Sequence, residues 1–268
     1  MISFPNAKIN IGLNIVSKRD DGFHNIETIF YPVQINDILE FSPTEETSLE
    51  ISGIEIKGET KNNLVYKVYD LLKQDYPLPE IKIHLHKIIP TQAGLGGGSS
   101  NATFMLKALN EYFKLNISEN KLLKYAEQIG SDCPFFIKNK PSFASAKGEN
   151  LQTVNLSLSG YHIVIIKPDI KISTVEAYNN IIPKKPKTNL KEAIKLPIKE
   201  WKNNIFNDFE DFAFAKYPDL NEIKTYLYNI GAEFSLMTGS GSAIYGIFKE
   251  KPEIDKYKDS FVWIGELH

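Results

Sequence analysis

The segment PTQAGLGGGSSNA, from Pro90 to Ala102, places four glycines and two serines between an apolar strand pattern and an apolar helix pattern. Such a loop suits anion binding, because a helix N-terminus carries unpaired N–H groups and the positive end of the helix dipole. Glycines let the backbone approach a ligand closely, and Ser99 and Ser100 add hydroxyl donors. The pattern therefore predicts a phosphate cradle.

Two better-known phosphate loops do not fit this segment. A P-loop needs a lysine after its last glycine, whereas Ser99 follows Gly98. The dinucleotide fingerprint, started at Gly94, meets Ser99 where its third glycine belongs. A flexible linker is the simpler alternative, but packing alone does not explain three consecutive glycines at a helix start.

A second glycine cluster, MTGSGSA, lies between two apparent strands at residues 237–243. Two interpretations stay open for it. One is a hairpin with a glycine turn. The other is a loop that contacts the substrate or its phosphate.

The first strand is predicted from Ala7 to Val16, where apolar and polar residues alternate. Lys8 and Asn10 therefore project from one face. The pattern alone favours a solvated outer face, and a face that lines a cleft is the alternative.

Further elements follow from periodicity and capping signals. A strand runs from Ile81 toward Pro90, a helix follows the glycines, and another helix from Ser118 to Gly130 leads to Asp132. The polar residues 150–160 predict a loop and a domain boundary.

The elements after this boundary indicate a ferredoxin-like layout. They are a strand at 163–166, a helix at 174–181, a solvated loop at 183–189, a helix at 221–229 with Gly231 as its cap, strands near 234 and at 243–248, and a final helix and strand.

Composition restricts the class of protein. The chain has 268 residues and is 42% hydrophobic, which fits one or two globular domains. A net charge of −2 without a basic patch argues against nucleic acid as a partner. The single cysteine, Cys133, excludes an internal disulfide and fits a cytoplasmic location. With no secretory signal pattern and no apolar run of about 18–20 residues, we expect no membrane association.

Several segments together resemble the GHMP kinase superfamily, named for galactose, homoserine, mevalonate and phosphomevalonate kinases. The glycine loop is similar to its motif P-x-x-x-G-L-x-S-S-x-A, but is longer. With AKINIGLNIVSKRDDGFHNIET, GSDCPFF and MTGSGSA, it resembles the branch that phosphorylates a cytidine-diphosphate-linked methylerythritol. The resemblance covers nearly the whole chain.

The resemblance implies an α+β fold of two domains with the active site in the cleft between them. The N-terminal domain, 1–155, would be ribosomal-protein-S5-domain-2-like, and the C-terminal domain, 156–268, ferredoxin-like. The implied reaction is transfer of phosphate from ATP, with Mg²⁺, to the 2-hydroxyl of 4-diphosphocytidyl-2-C-methyl-D-erythritol, in the non-mevalonate route to isoprenoid precursors.

The resemblance also implies the catalytic residues. Asp132 would accept the hydroxyl proton, and Lys8 would keep that carboxylate ionised and lower the effective pKa of the alcohol. Without the resemblance, Asp132 would be interpreted as a turn residue, because it follows a helix end and precedes Pro134.

The implied substrate contacts fall on two short segments and on the second glycine cluster. Phe23, in place of the more usual tyrosine, and His24 would hold the cytosine. Tyr178 would stack on it, although a core aromatic is an equal interpretation of that residue. The remaining predicted contacts are Asn10, Thr174, Gly239 and Ser240.

The implied ATP site is the glycine loop. Its predicted residues are Pro90, Thr91, Gln92, Ala93, Gly94, Leu95, Gly96, Gly97, Gly98, Ser99 and Ser100. Ser99 or Ser100 would lie near Mg²⁺, but the sequence identifies neither a metal ligand nor an oligomeric state. Two alternatives stay open: a superfamily kinase for homoserine, mevalonate or a sugar, and a non-catalytic nucleotide-binding protein.

Overall fold

The computed structural model describes residues 1–56 and 58–268 as a mixture of strands and helices. The strands are β1 Ile2–Ser3, β2 Asn6–Lys18, β3 His24–Asn36, β4 Ile38–Pro43, β5 Ser48–Gly53, β6 Ile81–Lys87, β7 Ser142–Ser145, β8 Asn150–Thr153, β9 His162–Lys167, β10 Phe234–Met237, β11 Ile244–Phe248 and β12 Phe261–Glu266. The α-helices are α1 Leu64–Asp75, α2 Gly97–Tyr112, α3 Glu119–Ile129, α4 Cys133–Lys138, α5 Thr174–Asn179, α6 Leu190–Ala193, α7 Phe209–Lys216 and α8 Pro218–Asn229. Short 3₁₀ helices occupy Thr60–Asn62 and Ile198–Asn203.

The chain forms two compact units. The first comprises Met1–Ala7, Ile35–Thr91 and Gly96–Asn139, and the second comprises Lys8–Gln34, Gln92–Leu95 and Lys140–His268. The predicted domain boundary after residue 155 stays a prediction.

The first unit is a four-stranded sheet in the order β1-β4-β6-β5, in which only the β5–β6 pair is parallel. Alternation in β6 buries Ile81, Ile83 and Leu85 and exposes Lys82, as the sequence predicts. These side chains share one apolar core with buried residues of α1, α2 and α3. The helix before Asp132 is confirmed, with Ser118 as its N-cap.

The second unit contains two sheets, β2-β3-β7-β8 and β10-β11-β9-β12. The second order, entirely antiparallel, is that of a ferredoxin-like sheet and confirms the predicted layout. The predicted final helix is wrong, because the described residues 249–260 contain no helix. Asp255 instead fixes this segment to α8 by accepting a 2.6 Å hydrogen bond from the hydroxyl of Tyr226.

Strand β2 is buried on both faces, so the solvated face favoured by its pattern is wrong. Lys8 is 3% exposed and Asn10 is 2% exposed. The polar face is covered because other segments of the same unit pair with the strand: the Asn10 N–H donates to Thr238 Oγ1, and the Leu13 N–H to the Phe206 carbonyl.

Residues 150–153 form β8, although their polar composition predicts a loop. Antiparallel pairing with β7 joins Ser145 to Asn150 and Ser142 to Thr153. The strand is polar because it lies at the edge of its sheet, where its side chains face solvent. No described helix is long and apolar enough to cross a membrane.

Candidate active site

Lys8 is held in a fixed position inside the second unit. Its ammonium donates to Asn10 Oδ1 at 2.7 Å and to the Gly94 carbonyl at 3.1 Å, and lies 4.9 Å from the centre of the Phe30 ring. The Lys8 N–H donates to the Leu95 carbonyl. The predicted catalytic lysine is therefore bonded to a predicted substrate residue and to the predicted ATP loop.

Thr238, in the MTGSGSA segment, joins strand β2 to the glycine loop. Its hydroxyl accepts from the Asn10 N–H and donates to the Gly94 carbonyl, both at 3.0 Å. Asn10 Nδ2 donates to Thr28 Oγ1 at 2.9 Å, which orients the amide so that its oxygen faces Lys8. The MTGSGSA segment is thus the hairpin between β10 and β11 and also a neighbour of the lysine.

Gly94 has a structural reason to be glycine. Its φ is +73°, and a methyl group on it would lie 1.9 Å from the Thr238 carbonyl oxygen. The close approach allows the Thr238–Gly94 hydrogen bond. Gln92, which also lies in this loop, adopts a left-handed φ of 51° and is exposed.

Gly97 is explained by packing under the first turn of α2. A methyl group there would lie 2.9 Å from Ile89 Cγ2 and 3.1 Å from the Lys87 ammonium. That buried ammonium donates to Asp37 Oδ2 at 2.5 Å. Burial lowers the pKa of Lys87, and the Asp37 carboxylate opposes that shift.

The Asp37 carboxylate holds the residues on both sides of the glycine loop. Its Oδ1 accepts from the N–H groups of Ile88 and Ile89 at 2.7 and 2.9 Å, directly before Pro90. Its Oδ2 also accepts from Asn101 Nδ2, on α2, at 2.7 Å. The end of β6 and the start of α2 are therefore held by one buried group.

Gly98 differs from these glycines. It is exposed in the first turn of α2, and a methyl group there would meet Leu64 Cδ1 at an ordinary 3.8 Å. Ser100 Oγ is buried and has no hydrogen-bond partner in the described part of the chain. An open glycine and an unsatisfied hydroxyl beside a helix N-terminus suit an anionic ligand with its cation.

Asp132 lies in the first unit as the N-cap residue of α4. As far as the described residues go, its side chain makes no capping hydrogen bond to that helix. The adjacent Cys133 is buried, and burial raises the pKa of its thiol to about 11, so it stays protonated and uncharged near neutral pH.

Two of the predicted cytosine contacts meet in the second unit. The rings of His24 and Tyr178 are stacked, with centroids 5.0 Å apart and an interplanar angle of 24°. Tyr178 also makes an edge contact with Phe209, whereas Phe23 is 55% exposed. Burial, helped by the charge of Lys18, lowers the pKa of His24.

The other predicted substrate contacts lie at the start of α5 and in the hairpin loop. Thr174 Oγ1 and Ser240 Oγ are 3.3 Å apart, and Gly239 has a φ of +57°. A methyl group on Gly239 would lie 3.0 Å from the Cα of Gly94. These positions bring the hairpin loop against the glycine loop.

Mg²⁺ is the metal that the resemblance implies. No group of three or more His, Cys, Asp or Glu side chains in the described residues is placed to hold a metal ion. Mg²⁺ nevertheless fits, because it commonly keeps waters and binds through one or two side chains plus substrate phosphates. Ser100, with its unsatisfied hydroxyl, is the side chain that would approach it.

Comparison with known proteins identifies the family of the chain. The family model described as "GHMP kinases N terminal domain" matches residues 63–140, and that described as "GHMP kinases C terminal" matches residues 190–261. The chain is 51% identical to the 4-diphosphocytidyl-2-C-methyl-D-erythritol kinase of Bacteroides fragilis over 100% of both chains. The chain belongs to this family of GHMP kinases.

Solved structures agree with the family. A crystal structure of a 4-(cytidine 5'-diphospho)-2C-methyl-D-erythritol kinase superposes with a TM-score of 0.83 at 27% identity, covering 100% of this chain and 99% of that one. The mevalonate kinase of Methanococcus jannaschii superposes with a TM-score of 0.68 at 14% identity, covering 100% and 98%. This second likeness shows the shared fold.

Sequence reasoning missed residues that hold the predicted ones in place. Thr238 lies inside the quoted glycine cluster, so its hydroxyl was a visible signal. Asp37 carries no such signal, since an isolated polar residue between apolar segments is usually exposed. Its role depends on contacts between residues far apart in the chain.

Proposed function

We propose that this protein transfers the γ-phosphate of ATP to the 2-hydroxyl of 4-diphosphocytidyl-2-C-methyl-D-erythritol, in the cytoplasm. The proposal rests on the position of the Lys8 ammonium, which is bonded to both Asn10 and the carbonyl of Gly94 in the glycine loop. Family membership supports ATP as the donor and a small alcohol as the acceptor. The cytoplasmic location is supported by the lone, buried Cys133.

Lys8 is proposed to supply fixed positive charge. Phosphoryl transfer requires an aligned nucleophile and stabilisation of negative charge, with little covalent work for the protein. An ammonium that is already bonded to Asn10 and Gly94 needs little reorganisation when charge develops. Asn10 orients Lys8 and is proposed to contact the acceptor.

Asp132 is proposed as the group that accepts the proton of the 2-hydroxyl as the oxygen attacks. The resemblance of GSDCPFF to the family's motif supports this assignment, and Asp132 occupies the N-cap position of α4. A correctly placed general base contributes about 10²- to 10⁴-fold to a rate.

The glycine loop is proposed to hold the ATP phosphates through the N–H groups at the start of α2. Gly98 allows close approach, and the Ser100 hydroxyl would approach the cation. Mg²⁺, when bound, supplies charge neutralisation on the phosphates. The pKa of His24 is lowered, so its imidazole is neutral at pH 7 and, with Phe23, suits recognition of an uncharged base.

The test is acceptor-dependent release of ADP by the wild type and by Asp132→Asn. The cytidyl compound is compared with mevalonate, homoserine and galactose. We expect activity with the cytidyl compound alone and, for Asp132→Asn, a fall in kcat of about 100-fold or more because the general base is lost.

The matched control is Asp219→Asn, which changes an aspartate in the first turn of α8. Binding of both substrates to Asp132→Asn should persist in calorimetry. Near-normal turnover by Asp132→Asn would refute its role, and equal activity on an acceptor without cytosine would refute the substrate assignment.

A further inference from the structure

Buried polar residues occupy the turn before helix α7 and the first turn of that helix, in the second unit. Asn207 is 3% exposed, Asp208 is 7% exposed and Glu210 is 8% exposed. Buried polar side chains are costly unless they are hydrogen-bonded, so their partners show what the turn holds.

Asn207 uses all of its hydrogen-bonding groups except one lone pair. Its Nδ2 donates to the carbonyls of Met237 and Gly239 at 2.7 and 2.8 Å, and its Oδ1 accepts from the Phe209 N–H at 3.0 Å. The two carbonyls flank Thr238. One amide therefore fixes the backbone on both sides of that threonine.

Glu210 holds the same backbone from the other direction. Its Oε1 accepts from the Met237 N–H at 2.9 Å, and its Oε2 accepts from the Lys224 ammonium at 2.7 Å. The end of β10 is thus held at both its N–H and its carbonyl before Thr238 begins the hairpin loop.

The turn also binds β2, the strand that carries Lys8. The Leu13 N–H donates to the Phe206 carbonyl, and the Asp208 N–H donates to the Leu13 carbonyl. The Ile15 N–H donates to Asp208 Oδ2 at 2.8 Å. The turn at residues 206–208 therefore fixes the position of strand β2 relative to the hairpin loop.

We propose that Asn207 is a positioning residue for phosphoryl transfer, acting through Thr238. Asn207 fixes the backbone of Thr238, and this places the Thr238 hydroxyl between the Asn10 N–H and the Gly94 carbonyl. Asn10 and Gly94 in turn hold the Lys8 ammonium. The inference rests on the proposed function. Asn207 itself is not proposed to touch ATP or the acceptor.

The test is Asn207→Asp, which keeps the shape of the side chain and replaces both N–H donors with an acceptor. The two carbonyls then face a carboxylate oxygen, so the loop moves. We expect kcat to fall about 10- to 100-fold, because small displacements of catalytic groups have effects of this size. The KM values for ATP and the acceptor should change by less than about threefold.

Asn204→Asp is the matched control, because Asn204 Nδ2 also donates to a main-chain carbonyl, that of Glu200, at 3.0 Å. It should leave kcat unchanged. Thermal unfolding is followed for every variant, and kcat is measured well below each transition. If Asn207→Asp cannot be purified, Asn207→Ser, which introduces no charge, is measured in the same way.

A double-mutant cycle with Thr238→Val identifies the route. If Asn207 acts through Thr238, the double variant has the kcat of the slower single variant. Independent, multiplicative losses, or a normal kcat for Asn207→Asp, would overturn the inference. Failure of the proposed function would differ, because the wild type would then not phosphorylate the cytidyl acceptor.

Discussion

Gly98→Ala should raise the thermal stability of the protein and weaken its binding of ATP. A glycine needed only for packing would instead lower stability when it is replaced. Gly98 is exposed in the first turn of α2, and an added methyl group would make only an ordinary contact with Leu64. Alanine favours a helix over glycine by up to about 1 kcal/mol. A gain of about 0.5–1 kcal/mol would raise Tm by about 1–4 °C for a chain of this size.

The loss in ATP affinity follows from the proposed approach of phosphate to this turn. The methyl group would keep a phosphate oxygen from the adjacent N–H groups. A hydrogen bond to a charged group is worth about 1.5–3 kcal/mol. Losing one such bond should raise the KM for ATP about 10- to 150-fold, since each 1.4 kcal/mol is a factor of ten.

The assay is ADP release with varied ATP at saturating cytidyl acceptor, together with thermal unfolding without ligands. Gly94→Ala is the contrasting control: its φ of +73° and the 1.9 Å approach to the Thr238 oxygen predict lower stability. An ordinary KM for ATP in Gly98→Ala would refute the role of that glycine. A lower Tm for Gly98→Ala would refute the reasoning about the helix.

Two further predictions concern charge. Because burial lowers the pKa of His24, kcat/KM for the cytidyl acceptor should be flat at neutral pH and fall only below about 6.5, as the ring gains a proton. A fall in kcat/KM centred above pH 6.5 would contradict this, as would the same fall at low pH in the His24→Gln variant. Lys87→Met should lower the free energy of unfolding by about 3–5 kcal/mol in urea, because it leaves the buried Asp37 carboxylate without its cation. Adding Asp37→Asn should restore part of this loss, and a single variant within about 1 kcal/mol of wild type would show that the pair is not important.

Local patterns predicted the elements whose burial is regular. The alternation at Ile81–Leu85 and the cap at Ser118 identify β6 and α3 because each depends on neighbouring residues. Strand β2 shows the limit of this reasoning. Its alternating pattern indicates one solvent-exposed face, but Asn10 is buried by the hairpin that contains Thr238, more than two hundred residues later.

The site could be predicted to the extent that its residues share short motifs. The glycine loop and the pair Phe23–His24 are of this kind. The supporting contacts share no such motif, because Asn207 contacts Met237 and Gly239 only once the second unit has folded. The missing helix at 249–260 has a similar cause: the contact of Asp255 with Tyr226 overrides local preference.

The two units are interleaved along the chain, and this has a consequence for synthesis on the ribosome. Residues 8–34 emerge early but belong with 140–268, whereas the segments between them mostly belong to the other unit. The partners of β2 at Phe206–Asp208 and Thr238 are translated late, in the last quarter of the chain. Until then, the N–H groups of Asn10 and Leu13 lack their native acceptors, so the second unit can complete its fold only near the end of translation.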